Sequence, residues 1–163
     1  MVEIRSLAHG VTFAMVLGLG LALAGCANKP SGPAGVGAGG IGSATPGSTQ
    51  DFVVNVGDRV FFDTDQTDIS PTGQVTLQKQ AAWLKRFPNY QITIEGHADE
   101  RGTREYNIAL GARRATNAKN YLVSLGISPA RIRTISYGKE RPVAVCDDIS
   151  CWSQNRRAVT VLN

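Results

Sequence analysis

Apolar and polar residues after position 50 follow two different periods, and these periods predict the elements of one domain. Residues 90–95 (YQITIE) alternate with a period of two, which is typical of a half-buried strand. Residues 52–62 (FVVNVGDRVFF) are rich in β-branched and aromatic side chains and also favour a strand. Residues 132–137 and 158–162 have the same character, so the pattern predicts four strands in all.

Two helices are predicted between these strands. Ser70 and Pro71 suit the N-cap and first positions of a helix that ends before the Phe-Pro pair at 87–88. Thr103 can cap a longer helix, which Gly126 closes as the residue after its C-cap. In this second helix the apolar residues recur at three- and four-residue steps and are Ile108, Ala112, Ala115, Ala118, Leu122 and Leu125.

The order of the elements, β-α-β-α-β-β, predicts an α+β fold. We expect a two-layer sandwich in which two helices pack on a mixed four-stranded sheet. The domain would comprise residues 51–163, and about 113 residues suffice for one hydrophobic core. Residues 96–102 (GHADERG) would form the loop between the second strand and the second helix.

Residues 1–25 have the features of an export signal. Positions 11–24 (VTFAMVLGLGLALA) carry no charge, but a helix of that length spans roughly 21 Å, less than the roughly 30 Å of a bilayer core. The run ends in Leu-Ala-Gly-Cys at 23–26, which resembles the lipobox of bacterial lipoproteins, so Cys26 is the predicted lipidation site. The alternative is a buried helix that happens to end at a cysteine. Ala27, rather than Asp, resembles lipoproteins sorted to the outer membrane, so we expect a lipid-anchored protein there whose domain faces the periplasm.

Residues 26–50 are predicted to be a flexible tether. Positions 27–50 contain seven Gly, three Pro and three Ser and have no aromatic residue or periodicity. A coil of this length would have a root-mean-square span of roughly 25–30 Å.

Charge and cysteine content narrow the classes of function. The chain has 17 Lys and Arg against 13 Asp and Glu, and this small excess disfavours a nucleic-acid-binding protein. Cys146 and Cys151 lie in the predicted loop before the last strand, and export to an oxidising compartment favours a disulfide between them. The alternative, a metal site, is disfavoured because no further thiol or imidazole lies nearby in the sequence.

Several motifs in order resemble the OmpA-like peptidoglycan-binding domain family. They are GHADERGT at 96–103, YNIAL at 106–110, ARRA at 112–115, SYGKERP at 136–142 and SQNRRAV at 153–159. The resemblance covers nearly all of residues 55–163. It implies a domain that recognises the diaminopimelic acid of the stem peptide in Gram-negative peptidoglycan.

The free end of diaminopimelate is a zwitterion, so its receptor needs one anion and one cation at a fixed separation. Asp99, in the loop after the second strand, would supply the anion. A guanidinium binds a carboxylate with two parallel hydrogen bonds, and the helix offers Arg113 and Arg114. Asn107 lies seven residues before Arg114, so both would point to the same side of the helix. Periodicity does not choose between the two arginines; the resemblance chooses Arg114.

The resemblance also implies that Thr103, Leu110 and Asp65 line the groove. Thr64 stands where the family often has Phe, so aromatic packing is not expected at that place. The alternative for Asp99 and Arg114 is an ordinary surface ion pair, which contributes about 0–1 kcal/mol.

An enzyme is disfavoured by the same residues. His97, Asp99 and Glu100 are clustered, but no second histidine remains after removal of the signal segment. The acidic run at 63–68 (DTDQTD) lacks the glycine and distal glutamate of an EF-hand loop. We therefore expect no cofactor and no metal.

The predicted function is non-catalytic attachment of the outer membrane to the cell wall. Relatives also bind the periplasmic β-propeller of the Tol system on an overlapping face and support envelope integrity and outer-membrane constriction during division. An alternative is a protein-interaction module whose main role is binding that propeller.

Overall fold

The computed structural model describes residues 44–163. The predicted signal segment, the lipidation site at Cys26 and most of the predicted tether lie outside these residues and stay predictions. Within residues 44–163, no helix is long and apolar enough to cross a bilayer.

The described residues form a mixed sheet of four strands. The strands are β1 Arg59–Phe61, β2 Ile92–His97, β3 Ile132–Gly138 and β4 Arg157–Leu162. Their spatial order is β1-β4-β2-β3. Strand β4 is antiparallel to both of its neighbours, whereas β2 and β3 are parallel. The predicted α+β sandwich on a mixed four-stranded sheet is confirmed.

Two long helices cover one face of this sheet. They are α2, Pro71–Arg86, and α3, Arg104–Ser124. The Ser70 and Thr103 side chains cap them by accepting hydrogen bonds from the main-chain N–H groups of Gly73 and Tyr106, as predicted. Gly126 follows the C-cap of α3 with φ +90°, a conformation that glycine adopts without steric cost. A short 3₁₀ turn, Pro129–Arg131, leads into β3.

The first part of the domain is helical, although its residues favour a strand. Helix α1, Thr49–Asp51, continues into one π-helical turn, Phe52–Val56. Phe52 is fully buried, and its ring centre lies 5.0 Å from that of Trp83. Burial of this aromatic pair outweighs local β propensity. The folded contacts also include Gly47, whose carbonyl accepts a hydrogen bond from Tyr90 at 2.8 Å, so they begin inside the segment assigned to the tether.

A second difference lies before β4. The segment predicted as a loop contains a short helix, α4, Ile149–Asn155. Asp148 caps it by accepting a hydrogen bond from the Ser150 N–H at 2.7 Å. The predicted disulfide between Cys146 and Cys151 is present and closes the chain onto the first turn of α4.

Two glycines determine how closely α3 approaches β2. A methyl group on Gly96 would overlap the main-chain carbonyl of Gly111, which cannot move away without shifting the helix. The Ser136 hydroxyl donates to the carbonyl of Ile108 at 2.7 Å and links α3 to β3 at the same level. The first half of α3 is thereby held against the end of β2, where several of the predicted site residues lie.

Candidate functional site

The buried face of α3 is partly polar. Asn107 and Arg114 were expected beside the apolar stripe, but both lie on the buried face, whereas Ala112 of the predicted stripe is exposed. The physical reason is hydrogen bonding, because the loops that meet this face present main-chain carbonyls that need donors. The buried residues of α3 are Asn107, Leu110, Gly111, Arg114, Ala115, Ala118 and Leu122.

The guanidinium of Arg114 is enclosed by main-chain oxygens. Nε donates to Gln66 at 2.9 Å, Nη1 to His97 at 2.9 Å and Nη2 to Asp63 at 3.1 Å. The side chain is fully buried, and its guanidinium carbon lies 5.0 Å from the ring centre of Phe62. Burial lowers the pKa of Arg114 to about 10, with a contribution from the nearby charge of Arg156, so the group stays cationic at neutral pH.

Asp99 lies two residues beyond β2 and is held by two arginines. Arg101 donates to it from Nη2 at 2.7 Å and from Nε at 3.2 Å. Arg156 donates from Nη1 at 3.2 Å, and this arginine is itself buried. Burial raises the pKa of Asp99. The hydrogen bonds from Arg101 and Arg156 together lower it by more, so the pKa of Asp99 is below its ordinary value. The carboxyl group is therefore ionised at neutral pH.

Asp99 and Arg114 are brought to the same end of the sheet without touching. Among the hydrogen bonds and ion pairs of residues 44–163, none joins these two side chains directly. The two groups nevertheless lie within electrostatic range, because the negative charge of Asp99 partly opposes the lowering of the Arg114 pKa by burial. Both are buried, so the structure does not contain the surface ion pair considered as the alternative.

The other predicted residues divide into scaffold and rim. Asn107 is buried and donates to the carbonyl of Arg101 at 2.7 Å, which fixes the loop that carries Asp99. Thr103 caps α3, and Leu110 is buried beneath the site. Asp65 is an exposed rim residue with φ +57°. Its carboxylate accepts a hydrogen bond from the hydroxyl of Tyr106 at 3.2 Å.

Three residues that sequence reasoning gave no role take part in this arrangement. Arg101 and Arg156 bind Asp99, and the ring of Trp152 lies 4.3 Å from the guanidinium carbon of Arg101. Arg101 lies inside the GHADERGT motif and Arg156 inside SQNRRAV, so their motifs were noticed. Arg156 lies 57 positions from Asp99 in the sequence, so periodicity does not reveal that both arginines bind the same carboxylate.

His97 is a buried group next to the site. Burial, together with the positive charges of Arg157 and Arg141, lowers its pKa to about 4, so the imidazole is neutral near pH 7. Among the described residues neither ring nitrogen has a hydrogen-bond partner. Residues 44–163 also contain no group of three or more His, Cys, Asp or Glu side chains that could hold a metal ion.

The charges of the site suit a small zwitterion. Three guanidinium groups (Arg101, Arg114 and Arg156) lie within electrostatic range of carboxylates at this end of the sheet, which belong to Asp65, Asp99 and, next to Arg101, Glu100. An ammonium group can bind to a carboxylate here, and a ligand carboxylate can bind to the arginines.

A groove of about 1210 Å³ lies next to this cluster. It runs between β1, the loop 62–70 and α4, and both Arg156 and Thr64 line it. Its apolar lining includes Phe61 and Ile149, which are 48% and 60% exposed.

Comparison with known proteins gives consistent matches. Residues 61–156 match the OmpA family. The chain is 70% identical over 147 residues to a peptidoglycan-associated lipoprotein of Agrobacterium fabrum, covering 88% of this chain and 83% of the relative. It is 61% identical to a peptidoglycan-associated lipoprotein of Brucella melitensis, covering 99% of this chain and 96% of the relative. The crystal structure of the peptidoglycan-associated lipoprotein from Burkholderia pseudomallei is 43% identical, has a TM-score of 0.63, and matches 65% of this chain and 90% of that one.

Proposed function

The chain belongs to the OmpA family and, within it, to the peptidoglycan-associated lipoproteins, and on that premise we propose that its Asp99 site binds the diaminopimelate of the peptidoglycan stem peptide. Members of this family are structural peptidoglycan-binding proteins and not enzymes. The finer assignment, to one amino acid of the wall and to named residues, rests on the charges of the site.

The observation that carries the proposal is the buried carboxylate of Asp99 with two buried guanidinium groups close behind it. The side chain of Asp99 is 9% exposed, so an ammonium that reaches it is largely removed from water. Charge-assisted hydrogen bonds are stronger there than on an open surface. Asp99 would accept the ligand's ammonium, and Arg114 and Arg156 would stabilise its carboxylate.

Arg114 can contribute without leaving its place. A guanidinium has five N–H groups. Three of those on Arg114 donate to main-chain oxygens and the side chain is fully buried, so it would act on the ligand's carboxylate through its charge. Asn107 would position the loop, and Thr103, Leu110 and Asp65 would shape the groove around the stem peptide.

The attachment to the membrane is the second part of the proposal. Cys26 would carry acyl chains that insert into the outer membrane, and residues 27–50 would bridge the distance to the wall. Two or more acyl chains hold a protein stably on a bilayer without a membrane-spanning helix. The match to the Brucella melitensis lipoprotein extends over 99% of the chain and supports this reading of the N-terminal segment.

The groove beside the site supports a protein partner as a second role. Arg156 belongs both to the Asp99 cluster and to the wall of the 1210 Å³ groove. A protein bound in this groove would therefore contact Arg156, which also belongs to the proposed ligand-binding site. We propose the Tol periplasmic β-propeller as this partner, binding in competition with the wall, and a role of the pair in envelope integrity and constriction at division.

The test of the main proposal compares two wall fragments. The full-length protein in detergent is titrated with muropeptides that carry either meso-diaminopimelate or lysine at the third position. We expect at least ~10-fold tighter binding of the diaminopimelate form, because lysine lacks the second carboxylate. Equal affinity for the two fragments would reject the assignment of the arginines.

A matched pair of variants then checks the residues. Asp99→Asn should abolish co-sedimentation with purified sacculi. Arg113→Ala removes an exposed arginine next to Arg114 in sequence and should leave co-sedimentation unchanged. Competition between the muropeptide and the purified propeller checks the second role; simultaneous binding of both would show separate sites.

A further inference from the structure

Arg101 is the exposed member of the Asp99 cluster. Its side chain is 40% exposed, whereas those of Asp99 and Arg156 are 9% and 7% exposed. Arg101 contributes two of the three side-chain hydrogen bonds that Asp99 accepts. It therefore covers the carboxylate from the solvent side, which is the side from which a ligand must approach.

The hydrogen bonds of Asp99 show why this arginine would have to move. Arg101 bonds to both carboxylate oxygens of Asp99, and Arg156 bonds to one of them, so the ligand's ammonium would be a third cation on a carboxylate whose exposed side is already occupied. If Arg101 leaves as the zwitterion enters, one cation replaces another on Asp99, and the ligand's carboxylate is left to face Arg114 and Arg156. The ligand's ammonium would then donate charge-assisted hydrogen bonds to Asp99, of the same kind as those that Arg101 gives up.

We propose, on the basis of the proposed function, that Arg101 is a built-in counter-ion that closes the site: its guanidinium occupies the place on Asp99 that the ligand's ammonium takes, and Trp152 positions it there. A stem peptide therefore binds by exchange with Arg101 and not by filling an open pocket. Arg101 and Trp152 weaken ligand binding in this arrangement, in contrast to Asp99, which the ligand contacts.

Trp152 contacts Arg101 while that arginine is bonded to Asp99, and Trp152 is itself fixed in position. Its ring lies 4.3 Å from the guanidinium carbon of Arg101 while that arginine is bonded to Asp99. Its indole N–H donates to the carboxylate of Glu100 at 2.9 Å, so the ring is attached to the same loop by two residues in succession. Cys151 precedes it, and the disulfide to Cys146 restrains the start of α4. The contact of Arg101 with Trp152 thus stabilises the closed site.

A double-mutant cycle on the full-length protein in detergent tests the proposed role of Arg101 and Trp152. The dissociation constant for a muropeptide carrying meso-diaminopimelate is measured for the wild type, Arg101→Ala, Trp152→Ala and the double variant. We expect Arg101→Ala to bind about tenfold more tightly, because the ligand no longer competes with a charge-assisted pair. Trp152→Ala should bind about threefold more tightly, in line with the strength of an exposed cation–π contact. In the Arg101→Ala background the Trp152→Ala change should have no further effect.

A matched control separates closure from a change in net charge. Arg104 is 65% exposed and pairs with Glu140 at 3.4 Å rather than with Asp99. Arg104→Ala removes the same charge nearby and should leave the affinity within twofold of the wild type.

A ligand-free measurement tests the contact itself. The hydrogen bonds from Arg101 lower the pKa of Asp99 against the opposing effect of burial. Arg101→Ala should raise that pKa, as followed by NMR titration of the carboxyl carbon, and Arg104→Ala should not.

The outcomes distinguish the two proposals. If the wild type binds and Arg101→Ala binds equally or more weakly, Arg101 is a ligand contact or a bystander, and closure is rejected while the proposed function stands. If neither protein binds the muropeptide, the proposed function fails and closure fails with it. An equal gain from Trp152→Ala in both backgrounds would reject the positioning role of Trp152 alone.

Discussion

Two carboxylates near opposite ends of β2 show how one fold treats the same chemical group in two ways. Asp51 bonds to Trp83, whose ring contacts that of Tyr90 just before β2, and Asp99 follows the end of β2. Asp51 accepts three hydrogen bonds, all at 2.8 Å, from the indole N–H of Trp83, the amide of Asn55 and the main-chain N–H of Gly47. The side-chain donors to Asp99 are the guanidinium groups of Arg101 and Arg156.

The difference lies in the charge and freedom of the donors. The donors to Asp51 are neutral, and its bonds tie the start of the domain to the aromatic cluster. The side-chain donors to Asp99 are cations, and one of them, Arg101, is exposed, so another cation can take its place. The first end attaches the start of the domain, and under the proposed function the second exchanges its exposed cation for that of a ligand.

The largest expected effect separates the two carboxylates directly. Asp99→Asn should weaken binding of the diaminopimelate muropeptide about 1000-fold, because a charge-assisted contact removed from water is lost. Asp51→Asn should leave the dissociation constant unchanged and lower the melting temperature. Calorimetric titration and thermal unfolding of both variants measure the contrast, which disappears if both substitutions affect binding.

The second prediction compares one glycine from each end. Gly96→Ala should lower the free energy of unfolding by about 3 kcal/mol, because the added methyl group meets the main chain of α3 and the helix must shift. Gly47→Ala should cost less, because its added methyl group meets the edge of the Phe87 ring, which can rotate, although φ at Gly47 is +83°. Urea unfolding of the two variants ranks the costs; the reverse order would contradict the rigid contact at Gly96.

The third prediction uses the buried histidine next to the site. The folded pKa of His97 is about 4, below its ordinary value of 6.5, so only the unfolded chain takes up this proton between those pH values. Stability should therefore fall as pH drops from 6.5 to 4, with a contribution of about 2 kcal/mol from this residue. His97→Phe should reduce the loss between pH 7 and 4.5 in urea unfolding, and an unchanged slope would exclude His97 as its source.

The smallest effect is expected from the two tryptophans. Trp83→Phe keeps a ring in the aromatic cluster but removes the bond to Asp51, and should lower the melting temperature by roughly 2–4 °C without changing muropeptide affinity. Trp152→Phe keeps the ring beside Arg101 but removes the bond to Glu100, and should tighten binding by less than about twofold. A change of affinity in Trp83→Phe would show that the two ends are coupled.

Features that depend on neighbouring residues could be predicted from the sequence. Ser70, Thr103 and Gly126 act within one turn of the helix ends that they cap, so their roles follow from local geometry. The strand at β2 was recognised because its alternation reflects one buried face. The two helical segments near Phe52 and Cys151 were missed, because a ring packed on Trp83 and a disulfide decide them.

For the candidate site, the family motifs pointed to Asp99 and Arg114, but not to how they are held. The burial of Arg114 depends on carbonyls of Asp63, Gln66 and His97, which come from two other segments of the chain. No periodicity within α3 reports where those oxygens lie. The same reason kept Arg101 and Arg156 from being recognised as partners of one carboxylate.

The amino-acid sequence by itself determined the α+β architecture, the helix ends and the residues able to carry the charges, since these depend on patterns within a few turns of chain. Only the tertiary structure decided that Arg101 covers Asp99 on its exposed side, that Arg156 is buried behind that carboxylate, and that the ring of Trp152 contacts Arg101. Electrostatic and hydrogen-bond energies depend on distance and burial between segments far apart along the chain, and those quantities exist only once the chain is folded.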